Sequence, residues 1–145
     1  MIKKGIIITD CDHEDVDIEK TIFAKASIPF ELKQCKTEED LIEQCQNASV
    51  LINQYAPMTR KVLDHLPELK MIVRYGVGVN NIDVKAASEY GVQICNVPDY
   101  GVDEVADHAL AMMLHFTRKI GWMNKSVRKG EWQYEKSIPI FRHSE

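Results

Sequence analysis

Several kinds of segment are scarce in this 145-residue chain, and their scarcity narrows its possible functions. The longest apolar run, residues 109–114, is far shorter than the roughly 20 residues of a membrane-spanning helix. An apolar signal segment with a cleavage site is also missing, so we expect a cytoplasmic protein without a membrane partner. Basic residues are in slight deficit, 18 against 22 acidic ones. A duplex-binding surface needs a dense basic face, and nucleic acid is therefore disfavoured as a partner.

Cysteine is sparse too, and its spacing excludes two common kinds of site. Paired spacings typical of zinc sites or of small disulfide-stapled secreted folds do not occur among Cys11, Cys35, Cys45 and Cys95. We therefore expect reduced thiols and no metal site. What the chain does have is 45% hydrophobic residues, which is enough for one core and too much for a disordered chain.

Short β-rich runs alternate with helix-like patterns, which is typical of parallel βαβ units. Thr37 followed by Glu38, Glu39 and Asp40 predicts a capped helix. Five strands and four helices joined by right-handed crossovers predict an α/β fold, a flavodoxin-like five-stranded parallel sheet flanked by helices. The predicted strands are residues 3–9, 28–33, 49–53, 71–74 and 92–96. The other predicted helices are residues 16–26, 58–66 and 82–90.

The pattern changes after Pro98. Apolar residues recur at helical spacing from Val102 to about Lys125, which predicts one long helix. Its apolar surface is wider than a single stripe, and the tail offers little to cover it. We therefore expect an incomplete unit that self-associates as a homodimer, with exchange of helices between chains as one route. The predicted divisions are residues 1–100 for the sheet, 101–127 for the long helix and 128–145 for the tail.

The segment Tyr75–Asn81 lies directly after a predicted strand and before a predicted helix. It begins like the dinucleotide fingerprint G-x-G-x-x-G, but Asn81 stands where the third glycine would permit close helix packing. A turn with two glycines can still present successive backbone N–H groups to a carboxylate or a phosphate. A plain tight connection that needs unusual φ values at Gly76 and Gly78 is the other interpretation.

Acidic residues at alternate positions after the first strand begin like a calcium-binding loop. Asp15 replaces the glycine and Thr21 the final glutamate of such a loop, so a solvated loop and helix N-terminus is expected there. A phospho-receiver domain would share this sheet, but Asn53 and Asn96 replace the aspartate and lysine that it needs. The acidic residues concerned are Asp10, Asp12, Glu14, Asp15 and Asp17.

Histidines give no clear catalytic grouping. Cys11 and His13 form a single C-x-H without a second pair of metal ligands. His108 and His115 are seven residues apart on one face of the predicted long helix, without a carboxylate placed to orient either ring. We therefore expect both histidines to be polar residues on the face of the helix.

Two segments carry a specific resemblance to a known family. Residues 69–87, LKMIVRYGVGVNNIDVKAA, and residues 91–110, GVQICNVPDYGVDEVADHAL, resemble the D-isomer-specific 2-hydroxyacid dehydrogenases. That family includes phosphoglycerate dehydrogenase, glyoxylate and hydroxypyruvate reductases, and the C-terminal binding protein corepressors. The resemblance covers residues 49–132 well and residues 1–48 only by the order of strands and helices.

The resemblance implies roles for individual residues. A flavodoxin-like substrate domain would hold the carboxylate of a 2-hydroxy or 2-keto acid on the backbone N–H groups of the loop, which assigns Gly76, Val77 and Gly78. Arg74 and Tyr55 would line the substrate cleft. Two further assignments follow: Val105 would lie close to the nicotinamide of NAD or NADP, and residues 96–98 would form an interdomain hinge.

The resemblance also implies what the chain does not contain. The family's catalytic Arg, Glu and His and its own G-x-G-x-x-G fall beyond Glu145, so no catalytic residue is assigned, and neither His108 nor His143 replaces them. The expected function is the N-terminal substrate-binding portion of an NAD(P)-dependent D-2-hydroxyacid dehydrogenase, inactive as 145 residues alone. Alternatives are a noncatalytic corepressor-type interaction protein of the same fold, or a truncated inactive gene product.

Overall fold

Five short strands rich in isoleucine and valine form one all-parallel sheet in the order β2-β1-β3-β4-β5. The computed structural model describes residues 5–140. This order confirms the flavodoxin-like α/β prediction, because a doubly wound sheet places the first strand between the second and third. The strands are β1 (Gly5–Ile8), β2 (Phe30–Leu32), β3 (Ala48–Asn53), β4 (Met71–Arg74) and β5 (Gln93–Cys95).

Four helices connect these strands, and their ends follow local capping chemistry. The predicted cap at Thr37 is confirmed, since its side chain accepts from the Asp40 N–H and the Asp40 carboxylate accepts from the Thr37 N–H. Thr59 and Asp83 cap the next two helices with one bond each, accepting from the N–H groups of Val62 and Ala86. The helices are α1 (Asp17–Lys25), α2 (Glu38–Gln44), α3 (Arg60–Asp64) and α4 (Val84–Glu89).

Alternate residues of the strands face two apolar clusters on opposite sides of the sheet. Ile7, Leu51 and Ile72 join the larger cluster, together with buried residues of α2, α3 and α4. Ile8 and Ile52 join the smaller cluster on the face that α1 partly covers. Within α1 no residue is fully buried, and Ile18 is 74% exposed. The sheet therefore buries one face much more completely than the other.

The chain divides into two compact units, one of described residues up to Pro98 and one from Asp99 onwards. The second unit contains α5 (Val102–Thr117), α6 (Ile120–Arg128) and a 3₁₀ turn (Tyr134–Ser137). Residues 141–145, which include His143 and the end of the predicted tail, lie outside the described residues, as do Lys3 and Lys4 of the first predicted strand.

The prediction of one continuous helix from Val102 to about Lys125 is wrong, because the chain turns between α5 and α6. Lys119 adopts the left-handed conformation with φ 53°, and its N–H donates to the Phe116 carbonyl, which ends the helix. The His115 ring lies so close to Gly121 that a Cβ there would be 2.6 Å from Nε2. Gly121, the only glycine of the predicted helix, is thus part of the turn.

All four cysteines are free thiols. Cys35 and Cys45 are buried side by side, and desolvation raises the pKa of both, that of Cys45 to about 12. Within residues 5–140 no helix is long and apolar enough to cross a membrane.

Candidate carboxylate-binding site

The loop that follows β4 turns its carbonyl groups into the fold. The Gly76 carbonyl accepts from the Val97 N–H at 3.1 Å, and the Val77 carbonyl accepts from Asn96 Nδ2 at 2.8 Å. Within the described part of the chain, the N–H groups of Val77 and Gly78 donate to no protein acceptor. Both residues are exposed, so these two N–H groups are available to a ligand.

Arg74, the last residue of β4, brings a cation to the same loop. Gly76 is buried with φ 136°, and a Cβ at this position would overlap the Arg74 guanidinium. The need for glycine here is therefore both conformational and steric. Arg74 Nε is buried without a hydrogen-bond partner, and among residues 5–140 no carboxylate lies within ion-pair distance of this guanidinium. A cation placed in this way is suited to an anionic ligand.

Tyr55 lies on the loop after β3, at the same edge of the sheet as Arg74. The two loops are neighbours because β3 and β4 pair in parallel, with Asn53 opposite Arg74. The Tyr55 side chain is 61% exposed, and its hydroxyl donates to Asp12 Oδ2 at 3.1 Å. The structure thus brings Tyr55, Arg74 and the Gly76–Gly78 loop to one edge of the sheet.

Asp10 departs from the predicted solvated acidic loop, because its carboxylate is 7% exposed. Its Oδ2 accepts from the backbone N–H groups of Tyr55 at 2.6 Å and Ala56 at 3.2 Å. Its Oδ1 accepts from the Gln54 N–H at 3.1 Å and from the Thr9 hydroxyl at 2.6 Å. The negative charge is buried at low cost because so many donors surround it.

Asn53 and Asn81 extend this buried network towards the loop after β4. Asn53 is fully buried, and its Nδ2 donates to the Thr9 hydroxyl and to the Ala56 carbonyl. Asn81 Nδ2 donates to Asn53 Oδ1 at 2.7 Å and to the Ala56 carbonyl at 3.1 Å. Sequence reasoning missed the roles of Asp10, Asn53 and Asn81. Each had been noted only for failing to match a calcium loop, a receiver domain or a dinucleotide fingerprint.

A cleft of about 270 Å³ lies on the other side of Tyr55, at the carboxyl ends of β1, β2 and β3. Asp12 lines this cleft, and Gln54 Nε2 donates to its carboxylate at 2.5 Å. Hydrogen bonds from Gln54 and then Tyr55 lower the pKa of Asp12 from its ordinary value. The remaining lining residues are Asp10, Cys11, Gln34, Cys35, Lys36 and Ala56.

The histidines do not join these groups into a catalytic set. His13 lies edge-on to the Tyr75 ring, with 5.6 Å between ring centroids, and 3.9 Å separates its Nδ1 from Asp12 Oδ1. His115 lies in the last turn of α5 with its ring against Gly121, and His108 is exposed on α5. Over residues 5–140, no three metal-ligating side chains are grouped as they would be around an ion.

Comparison with known proteins places this chain in a family. A sequence profile of the family described as D-isomer specific 2-hydroxyacid dehydrogenase, catalytic domain, matches residues 6–138. The chain belongs to this family. The resemblance read from residues 69–87 and 91–110 is thereby confirmed.

Two curated relatives show how much of a D-2-hydroxyacid dehydrogenase the chain matches. D-3-phosphoglycerate dehydrogenase of Methanocaldococcus jannaschii is 36% identical over 128 residues, covering 88% of this chain and 24% of that protein. Glycerate dehydrogenase of Methylorubrum extorquens is 29% identical over 144 residues, covering 97% of this chain and 44% of that protein. The chain thus spans about a quarter of the first relative and less than half of the second.

A solved D-2-hydroxyacid dehydrogenase shares the fold. D-lactate dehydrogenase from Aquifex aeolicus, complexed with NAD and lactic acid, aligns with a TM-score of 0.77 at 22% identity. The alignment covers 89% of this chain and 38% of that one. NAD is the cofactor bound in that protein, and the likeness to this chain concerns the fold.

The described residues do not fit the dinucleotide itself. Asn81 occupies the position of the third fingerprint glycine, and its amide is committed to Asn53 and Ala56. The Arg74 guanidinium covers Gly76, where a pyrophosphate would have to approach the backbone. The Tyr75–Asn81 loop is therefore a candidate site for a small carboxylate and does not have the features of a pyrophosphate site.

Proposed function

We propose that the Gly76–Gly78 loop and Arg74 bind the carboxylate of a small 2-hydroxy or 2-keto acid. In this proposal the chain is the substrate-binding part of an NAD(P)-dependent D-2-hydroxyacid dehydrogenase. One observation carries it: two unpaired backbone N–H groups lie beside a guanidinium that has no carboxylate partner. Family membership supports the choice of acid.

The arrangement explains how such an acid would be bound. The Val77 and Gly78 N–H groups would donate to the carboxylate, and the Arg74 cation would offset its charge. Hydrogen bonds that involve a charged partner contribute about 1.5–3 kcal/mol each, so such a site can fix the orientation of a small acid. The Tyr55 ring would limit the space beside it. Hydride and proton transfer are assigned to no residue of this chain.

We propose roles for the remaining parts of the chain on the same basis. Residues 1–100 would be the substrate domain portion, and residues 101–127 an interdomain and dimerisation segment with Val105 near the nicotinamide. Residues 128–145 would lead towards a nucleotide-binding part. Exposure of Val105, 70%, and of Phe116, 77%, supports a homodimer in which these faces are covered, with helix exchange as one route to it. We propose in addition that the protein is cytoplasmic.

Titration with glyoxylate, followed by ¹H–¹⁵N chemical shifts, tests carboxylate binding in the chain as it stands. We expect saturable shifts at the Val77 and Gly78 amides, and about tenfold weaker binding by Arg74→Met, which keeps an unbranched apolar stem and removes the charge. Arg60→Met is the matched control, because Arg60 pairs with Glu89 on the surface of α3.

A second variant tests the loop itself. Gly78 has no left-handed φ, and a Cβ would meet only Asn80 Oδ1 at 3.1 Å, so we expect Gly78→Val to fold and to bind glyoxylate poorly. Equal losses in Arg74→Met and Arg60→Met, or glyoxylate shifts confined to other residues, would overturn the proposed site. A chain that binds no small acid would favour the noncatalytic interaction protein.

A further inference from the structure

We infer that Asp10, Asn53 and Asn81 form a polar bracket that fixes the loop carrying Tyr55 relative to the Gly76–Gly78 loop. Asp10 and Asn81 are then positioning residues for the carboxylate site, an inference that rests on the proposed function. Neither side chain needs to touch the bound acid. Their effect is to keep Tyr55 and the loop N–H groups in one arrangement.

Asp10 supplies the acceptors of this bracket. Three consecutive backbone N–H groups, those of Gln54, Tyr55 and Ala56, converge on its two carboxylate oxygens at 2.6–3.2 Å. An amide side chain at this position would turn an NH₂ group towards one or more of those donors. The loop geometry therefore depends on a carboxylate and not only on a polar side chain of that size.

Asn81 supplies the donors on the opposite side. Its Nδ2 faces three oxygens, Asn53 Oδ1 at 2.7 Å and the carbonyls of Ala56 at 3.1 Å and Gln54 at 3.4 Å. Asn81 itself lies three residues after Gly78, so it joins the loop after β3 to the loop after β4. A carboxylate at position 81 would face the same oxygens without a donor.

Side-chain bonds to Asp12 also reach the Tyr55 segment, since Gln54 Nε2 and the Tyr55 hydroxyl donate to its carboxylate, but Asp12 itself is exposed. A backbone bridge pairs Met58 with Ile82, and it holds the loops together three residues beyond Tyr55. The bracket acts on the backbone of residues 54–56, the segment from which the Tyr55 side chain projects.

Amide hydrogen exchange combined with glyoxylate titration tests the bracket in the 145-residue chain. We expect Asp10→Asn and Asn81→Asp to speed exchange at the Tyr55 and Ala56 amides about tenfold or more and to weaken glyoxylate binding about tenfold. Asp15→Asn is the matched control, since it makes the same carboxylate-to-amide change at an exposed residue whose Oδ1 accepts from the Asp17 N–H, away from the loop after β3. Its exchange at Tyr55 and its glyoxylate affinity should stay close to those of the unchanged chain.

The two measurements separate failure of the bracket from failure of the proposed function. Exchange at Tyr55 that is no faster in Asp10→Asn than in Asp15→Asn overturns the bracket, and so does faster exchange with unchanged glyoxylate affinity. If the chain without substitutions does not bind glyoxylate, the proposed function is overturned. Faster amide exchange in the variants would in that case still show that the bracket fixes the loop after β3. If Asp10→Asn does not fold, Asn81→Ala removes the donor without adding charge and serves for the same comparison.

Discussion

The sheet unit and the helical unit of this chain use similar apolar residues in opposite ways. In the sheet unit, Leu51 and Ile72 are completely buried. In the helical unit, α5 and α6 contain no buried residue, although α5 carries Val105, Leu110, Met113 and Phe116. One unit encloses its own core, and the other leaves its apolar side chains in contact with solvent.

The difference teaches that helix formation and core formation are separate problems. Residues of α5 satisfy the backbone of a 16-residue helix through local hydrogen bonds. Burying its apolar faces needs atoms from elsewhere, and isolated helices of this length are only marginally stable in water. A parallel sheet cannot satisfy its backbone hydrogen bonds locally, because every strand needs neighbouring strands that are distant along the chain.

The largest expected effect is on stability, and it tests the contrast between the units directly. Ile72→Ala should lower the free energy of unfolding by about 2–5 kcal/mol, because it leaves a cavity under the sheet. At concentrations where the chain is monomeric, Phe116→Ala, at a side chain that is 77% exposed, should change it by less than about 0.5 kcal/mol. Urea denaturation followed by circular dichroism measures both. A large loss in Phe116→Ala would show that another surface covers α5 in solution.

A smaller effect is expected on association. If a second copy covers the exposed face of α5, light scattering over a concentration series should show the mass rising from 16.6 kDa towards twice that value. Phe116→Glu should weaken this association, whereas Asn124→Glu, at an exposed polar position of α6, should not. A mass that stays at 16.6 kDa into the highest concentrations would contradict the proposed homodimer.

The smallest effect concerns pH and the helix cap at Thr37. The N–H groups of Lys36 and Thr37 donate to the Asp40 carboxylate and lower its pKa below the ordinary value of 3.8. A lowered pKa in the folded state stabilises the fold above that ordinary value, and this contribution disappears as the pH falls through the folded-state pKa. Asp40→Ala should therefore lower the Tm at pH 7, and this difference should shrink as the pH falls below the ordinary value of 3.8. A Tm difference that stays constant from pH 7 to acid pH would show that the charge of Asp40 is not involved.

Much of the sheet follows from local patterns. The buried strand β4 coincides with its predicted bounds, and the capped helix begins at Thr37 as its side-chain chemistry indicates. The turn at Lys119 was missed because periodicity alone does not detect one residue in the left-handed conformation. Gly121 could have indicated the turn, but a single glycine inside a helical pattern is often tolerated.

The candidate site was predicted in part. The glycine spacing pointed to the loop after β4, and the resemblance added Arg74 and Tyr55. Asp10 was expected to be solvated because it begins an acidic run, and only the fold brings the Tyr55 loop over it. In the sequence Asn81 is notable only for standing where a dinucleotide fingerprint has glycine. Its hydrogen-bond partners are 25–28 residues away along the chain, so local patterns do not predict them.

The sequence by itself determined the order of strands and helices, the family, and the glycines at the turn after β4. These features depend on periodicity, local capping and backbone freedom, which neighbouring residues specify. Only the tertiary structure decided that the Arg74 guanidinium lies over Gly76 and that Asp10 and Asn81 hold the Tyr55 loop from two sides. The contacts of Asp10 and Asn81 join distant parts of the chain, and they form only when parallel pairing places the carboxyl ends of the strands side by side.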